Sequence, residues 1–126
     1  MKLVTPVILV LAVSLAGTPL SANSCDSEPQ LADFAKCIAC HTAKADASHL
    51  SGPNLWGVIG RKAGTAPGYA YSPVLRDSGL TWTTDTLRNY LANPTAMLPG
   101  TRMMIAPIKN EQELERIVCY LESLKD

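Results

Sequence analysis

The chain is 126 residues long, with 11 Lys and Arg against 11 Asp and Glu and a formal net charge of zero. That balance excludes the basic excess that nucleic-acid phosphates demand. One Phe, two Trp and four Tyr predict a small core, and a domain of this size gains from an added apolar filler or a covalent staple.

The first segment reads as a leader. Met1-Lys2 is a short positive start, Leu3 to Ala16 is apolar but for Thr5, Pro6 and Ser14, and small or polar residues run from Gly17 to Ser24. That order predicts a signal peptide over residues 1–24, cut after Ala22 or Ser24. The apolar run is shorter than the roughly 20 residues of a membrane span; an uncleaved anchor is the competing reading. Cleavage removes Lys2 and no acid. Residues 25–126 therefore stay near neutral and read as one domain.

Helices are legible in that domain and strands are not. Ser27 and Gln30 fit a capping box with Pro29 in the first turn, followed by Leu31, Phe34, Ala35 and Ile38 on one face. Residues 42–70 are rich in Gly, Pro, Ser and Ala and predict loop. Ser72 as cap, Pro73 and a stop at Gly79 predict a short helix. Thr83 or Thr84 caps the next, with Leu87, Tyr90 and Leu91 on one face until Pro94 ends it. A second loop covers 93–109. The last helix has Asn110 as cap, Glu111 and Glu113 in its first turn, and a stripe of Leu114, Ile117, Val118 and Leu121. Loops this long in a small domain predict that they wrap something.

Cys37-Ile38-Ala39-Cys40-His41 supplies the object. It is the Cys-x-x-Cys-His pattern of covalent haem attachment: two thiols reach two vinyl groups of one porphyrin, and the next histidine meets the iron. A thioredoxin-like redox pair lacks its βαβ setting here, and a zinc knuckle lacks a second ligand pair. For the second iron ligand the residues leave Met97, Met103, Met104 and His49 open. Pro99-Gly100-Thr101-Arg102-Met103 places a soft thioether on a loop after a turn. His49, close to His41 in sequence, reads rather as a solvated loop residue.

Further motifs carry a resemblance. Gly52-Pro53-Asn54-Leu55-Trp56-Gly57, Gly60-Arg61-Lys62-Ala63-Gly64, Ala66-Pro67-Gly68-Tyr69, Tyr71-Ser72, Trp82, Tyr90-Leu91-Ala92-Asn93-Pro94 and Pro99–Met103 follow the haem motif in order. With it, they make the chain similar to the class I cytochromes c, in the bacterial c2 and mitochondrial cytochrome c branch, from about Ala32 to Leu124. The resemblance implies an all-α domain in which short helices and long loops wrap one haem c and the N- and C-terminal helices cross, Phe34 meeting Ile117 and Tyr120. Pro29 and Ala32 depart from the family, since a close-packing glycine is often found there.

The resemblance further implies Met103 as axial ligand opposite His41, and the carbonyl of Pro53 as acceptor for the other imidazole N–H. It places Arg61, Tyr71, Ser72 and Trp82 near a haem propionate and Tyr90 beside the methionine. Cys25 and Cys119 remain; in an oxidising compartment, on segments the family fold brings together, they are expected to form a disulfide. A lipidated Cys25, or two unpaired thiols, are the alternatives.

The function implied is one-electron transfer by a soluble, monomeric periplasmic carrier that meets redox partner proteins transiently and catalyses no reaction. Rival readings are a dedicated haem subunit of a respiratory or dehydrogenase complex, a membrane-anchored lipoprotein cytochrome, and an enzyme or gas sensor with an open iron position. Relatives often ring the haem edge with lysines. Here only Lys36, Arg61, Lys62, Arg102 and Lys109 are available, which predicts a less charged docking surface.

Overall fold

The computed structural model describes residues 29–125. The predicted leader, Cys25 and the Ser27 cap lie outside the described residues. Five helices follow in chain order: α1 Pro29–Phe34, α2 Pro73–Arg76, α3 Thr84–Ala92, α4 Pro94–Met97 and α5 Glu111–Ser123. No strand occurs among the described residues; one isolated bridge joins Lys62 to Thr81.

α5 organises the core. Asn110 caps it by accepting from the Glu113 amide at 3.0 Å, Glu111 and Glu113 stand in its first turn, and Leu114, Ile117, Val118 and Leu121 are buried as their spacing predicts. α1 and α3 both pack against it. Phe34 is 2% exposed and its ring lies 4.6 Å from that of Tyr120, tilted by 49°. Ion pairs of Asp33 with Arg116 and of Lys36 with Glu113 tie the same two segments, but such partly exposed pairs contribute little beside the buried ring.

α1 is shorter than its sequence suggests. It ends at Phe34, and the chain continues in tight turns whose amides reach three residues back, Cys37 to Phe34 at 2.8 Å and Cys40 to Cys37 at 3.1 Å. Side chains three apart eclipse in such turns, so Cys37 and Cys40 share a side. Of the expected apolar face only Phe34 is buried: Ile38, in these turns, is 56% exposed, and Leu31, within α1 itself, is 54% exposed.

The other helices follow their caps. Thr83 is the N-cap of α3 in a reciprocal box with Thr86. α2 stops at Arg76, before Gly79, where the Asp77 amide bonds back to Pro73. α4 falls inside the stretch expected as loop; Asn93 accepts from the Ala96 amide at 3.2 Å and Pro94 opens the helix, a cap-plus-proline signal. Gly64 has φ +74° and a Cβ there would lie 2.6 Å from the Arg76 Cα. That close approach seats the 60s loop on α2.

Phe34→Ala is expected to destabilise the holoprotein by about 3–5 kcal/mol, whereas Leu31→Ala should stay within about 0.5 kcal/mol. Denaturant unfolding distinguishes this register from one in which both residues face the core.

Candidate functional site

The loops and helices enclose one cavity of about 360 Å³. Cys37, Cys40, His41, Pro53, Arg61, Tyr71, Ser72, Trp82, Tyr90 and Met103, drawn from stretches far apart in the chain, all line it. Leu55, Val58, Leu75, Leu87, Ile117 and Leu121 supply apolar wall. Cys119 lies on α5 and does not line it.

His41 is held from two sides. Its Nδ1 is 2.7 Å from the Pro53 carbonyl oxygen, which can only accept, so that nitrogen carries the proton and Nε2 keeps its lone pair. A Cβ on Gly52 would lie 2.7 Å from both ring nitrogens; only glycine leaves the ring its place. Burial lowers the His41 pKa, while the Pro53 bond works the other way. The ring is therefore neutral near pH 7, the form that binds a metal. Burial, offset by Lys36 and reinforced by Glu113, raises the Cys37 thiol to about 11. At neutral pH it is not the thiolate that zinc requires, and no group of three metal-ligating His, Cys, Asp or Glu residues exists among the described residues.

The methionine loop is positioned by a residue the sequence did not single out. Thr101 is 7% exposed; its Oγ1 lies 2.6 Å from the Tyr90 hydroxyl and accepts from the Met103 amide at 3.4 Å. The Trp82 ring packs on Tyr90 at 5.1 Å between centroids, tilted by 46°. Met103 is half-buried and packs against the core, Met104 is 82% exposed, and Met97 packs away from the cavity. His49 is more than a solvated loop residue: its Nδ1 accepts from the Asn54 amide at 2.9 Å and its Nε2 donates to the Pro67 carbonyl at 2.8 Å. Both nitrogens are spent on stitching two loops.

Arg61 is the telling charge. Its guanidinium donates to the carbonyls of Trp56 and Asn54 at 3.2 and 3.0 Å, yet it has no acidic partner among the described residues. Burial lowers its pKa, countered by Tyr71. Burial likewise raises the Tyr71 hydroxyl, keeping it a neutral donor. Ser72 is the N-cap of α2 but makes no side-chain capping bond, and it is 5% exposed. A half-buried cation without a counter-ion, beside two hydroxyls in an apolar wall, suits a flat apolar group bearing carboxylates.

Burial raises the Tyr90 pKa and the Thr101 bond lowers it. Thr101→Val removes the lowering contribution, so Tyr90 is expected to ionise at higher pH in the variant, read as a later step in a tyrosinate absorbance titration.

Three comparisons converge on this arrangement. Residues 29–125 match the Cytochrome c family. The chain is 38% identical over 115 residues to cytochrome c2 of Blastochloris viridis, covering 91% of this chain and 87% of the relative. It is 43% identical to cytochrome c-550 of Nitrobacter winogradskyi, over 76% of this chain and 88% of that one. Among solved structures, cytochrome cH from Methylobacterium extorquens superposes with a TM-score of 0.70 at 40% identity, covering 75% of this chain and 94% of its own. The chain belongs to the cytochrome c family, electron-transfer proteins that carry one covalently attached haem c.

Proposed function

We propose that this protein is a soluble, monomeric periplasmic electron carrier whose haem iron is ligated by His41 and Met103. The single observation that carries the reading is the cavity in which a fixed, neutral imidazole, a half-buried thioether and two neighbouring thiols meet an unpaired guanidinium.

Once bound, the haem supplies a one-electron couple at its iron. The protein's own part is to hold and insulate. Cys37 and Cys40 provide the two thioether sulfurs. His41, aimed by Pro53 and given room by Gly52, offers Nε2; Met103, on a loop tethered through Thr101 and Tyr90, offers its sulfur. A nitrogen and a soft thioether favour the ferrous state and raise the potential. Arg61, Tyr71, Ser72 and Trp82 would meet propionate, the guanidinium neutralising a carboxylate that would otherwise be costly to bury. The apolar walls keep water from the iron, so both oxidation states can share one ligand set.

Export follows from residues 1–24 read as a signal peptide, and no helix among the described residues is long and apolar enough to cross a membrane. In that oxidising compartment we assign a Cys25–Cys119 disulfide. Its support is the thiol inventory: the free cysteines among the described residues are Cys37 and Cys40, which the haem requires, and Cys119 is not one of them.

The ferric holoprotein should show a weak near-red sulfur-to-iron band and should not bind carbon monoxide readily when reduced. Met103→Ala should lose the band and gain the binding; a band that survives the substitution would move the ligand elsewhere. For the bridge, intact mass under non-reducing conditions should reveal no alkylatable thiol on Cys119. Cys119→Ser should cost about 2–5 kcal/mol in unfolding free energy.

A further inference from the structure

We propose that Met104 is a reversible sulfoxidation site for hydroperoxides, set at the mouth of the cavity so that its oxidation lowers the haem potential with Met103 left in place. The proposal rests on the carrier reading above and adds an oxidant-sensitive state to it.

The sulfur inventory singles the residue out. Four methionines occur in the chain, and Met1 falls in the predicted leader. Met97 and Met103 are half-buried and pack against the core, whereas Met104 is 82% exposed. On the carrier reading the Met103 sulfur also gives a lone pair to the iron, and Cys37 and Cys40 are thioethers on the porphyrin. Cys119 is not a free thiol. Met104 is then the exposed sulfur, among the described residues, whose lone pairs no bond engages. Sulfur oxidation follows exposure and electron availability.

The reaction balances with the hydroperoxide as sole co-reactant. The Met104 sulfur attacks the terminal oxygen, the O–O bond breaks, and its electron pair leaves with the inner oxygen. The hydroxyl proton moves to that departing oxygen, giving water or an alcohol. Sulfur loses two electrons and the hydroperoxide gains them. Reversal by a sulfoxide reductase needs access to the chain. Met104 lies within residues 103–110, a stretch without regular structure that an enzyme can take up in extended form.

Position gives the oxidation its consequence. Met104 lines the cavity beside Met103, and the other exposed lining residues are Lys36, Cys40, Ser51 and Arg102. Arg102 is drawn back onto the Ala70 carbonyl, which leaves Met104 the longest apolar side chain on that rim. A sulfoxide there is polar and draws water to the opening. A wetter haem edge favours the ferric state, with its extra positive charge, and the potential falls. Met103 stays because its tether lies on the inner side: Thr101 Oγ1 accepts from the Met103 amide and meets the Tyr90 hydroxyl.

The test exposes ferric holoprotein to hydrogen peroxide and follows tryptic peptides by mass and fragmentation. Cleavage after Arg102 and Lys109 puts Met103 and Met104 in one peptide and Met97 in another. Met104 should gain one oxygen about tenfold faster than Met97 or Met103. The singly oxidised protein should keep the near-red band and show a lower potential than the untreated one. Reductases for the two sulfoxide epimers, with a dithiol, should restore the peptide mass. Met104→Leu should hold its potential through the same exposure, and untreated Met104→Gln should already show a lowered one. Oxygen arriving first on Met97 or Met103, a sulfoxide the reductases leave in place, or a singly oxidised form with unchanged potential would overturn the proposal. An untreated ferric protein without the near-red band would overturn Met103 ligation alone, the peptide masses still deciding for or against Met104.

Discussion

The orientation of one imidazole governs the site, and most of the loop architecture between residues 40 and 70 serves it. The Nδ1 of His41 is committed to the Pro53 carbonyl at 2.7 Å, so its other nitrogen is the only lone pair the ring can present. That carbonyl is itself held in place. The Gly52 amide bonds to Cys40 at 2.7 Å and the Leu55 amide to Thr42 at 2.8 Å, clamping the acceptor to the haem motif on both flanks. His49 then ties Asn54 to Pro67, and the Tyr69 hydroxyl donates to the Ser51 carbonyl. A loop without regular structure thereby acquires the rigidity that a carbonyl needs to fix the imidazole bonded to it.

What could be read from sequence follows the range of the forces involved. Caps, helical stripes and the Cys37–His41 motif depend on neighbours within a turn or two, and Leu114, Ile117, Val118 and Leu121 are buried where spacing put them. Phe34 was assigned correctly and its companions Leu31 and Ile38 were not: Ile38 falls where the chain tightens into three-residue turns after Phe34, which periodicity cannot foresee, and Leu31 is exposed within α1 itself. α4 escaped notice because four residues carry too little pattern, although Asn93-Pro94 announces it. The roles of Thr101 and Gly52 escaped for a different reason: one acts on Tyr90 across 11 positions and the other leaves the His41 ring the place a Cβ would take, neither of which leaves a local mark. His49 lies on a loop as expected, but the same limit hid its bonds to Asn54 and Pro67.

Net charge was the least informative quantity. A sum of zero conceals a guanidinium held without an acid in the cavity wall and a lysine cancelled by Glu113 at its opening. Counting cations gave five candidates for partner contact; hydrogen-bond and ion-pair geometry withdraws Arg61 and Lys36 and leaves three. The electrostatics that matter at about 4–6 Å are set by which side chains meet, and those meetings are tertiary.

The same residues that hold the fold also line the cavity, and this makes stability and cofactor inseparable. Ile117 and Leu121 lie on the buried stripe of α5 and face the cavity, as do Leu87, Tyr90 and Leu91 of α3. If a cavity costs about 24 cal/mol per Å³, one of about 360 Å³ would cost on the order of 9 kcal/mol were its walls left without contacts. Small domains have about 5–15 kcal/mol in total. α3 packs directly against α5, and a porphyrin seated in the cavity would add a further apolar layer to the core that both helices line. Covalent attachment, which we propose at Cys37 and Cys40, would make that layer part of the chain, so that no dissociation equilibrium could withdraw it.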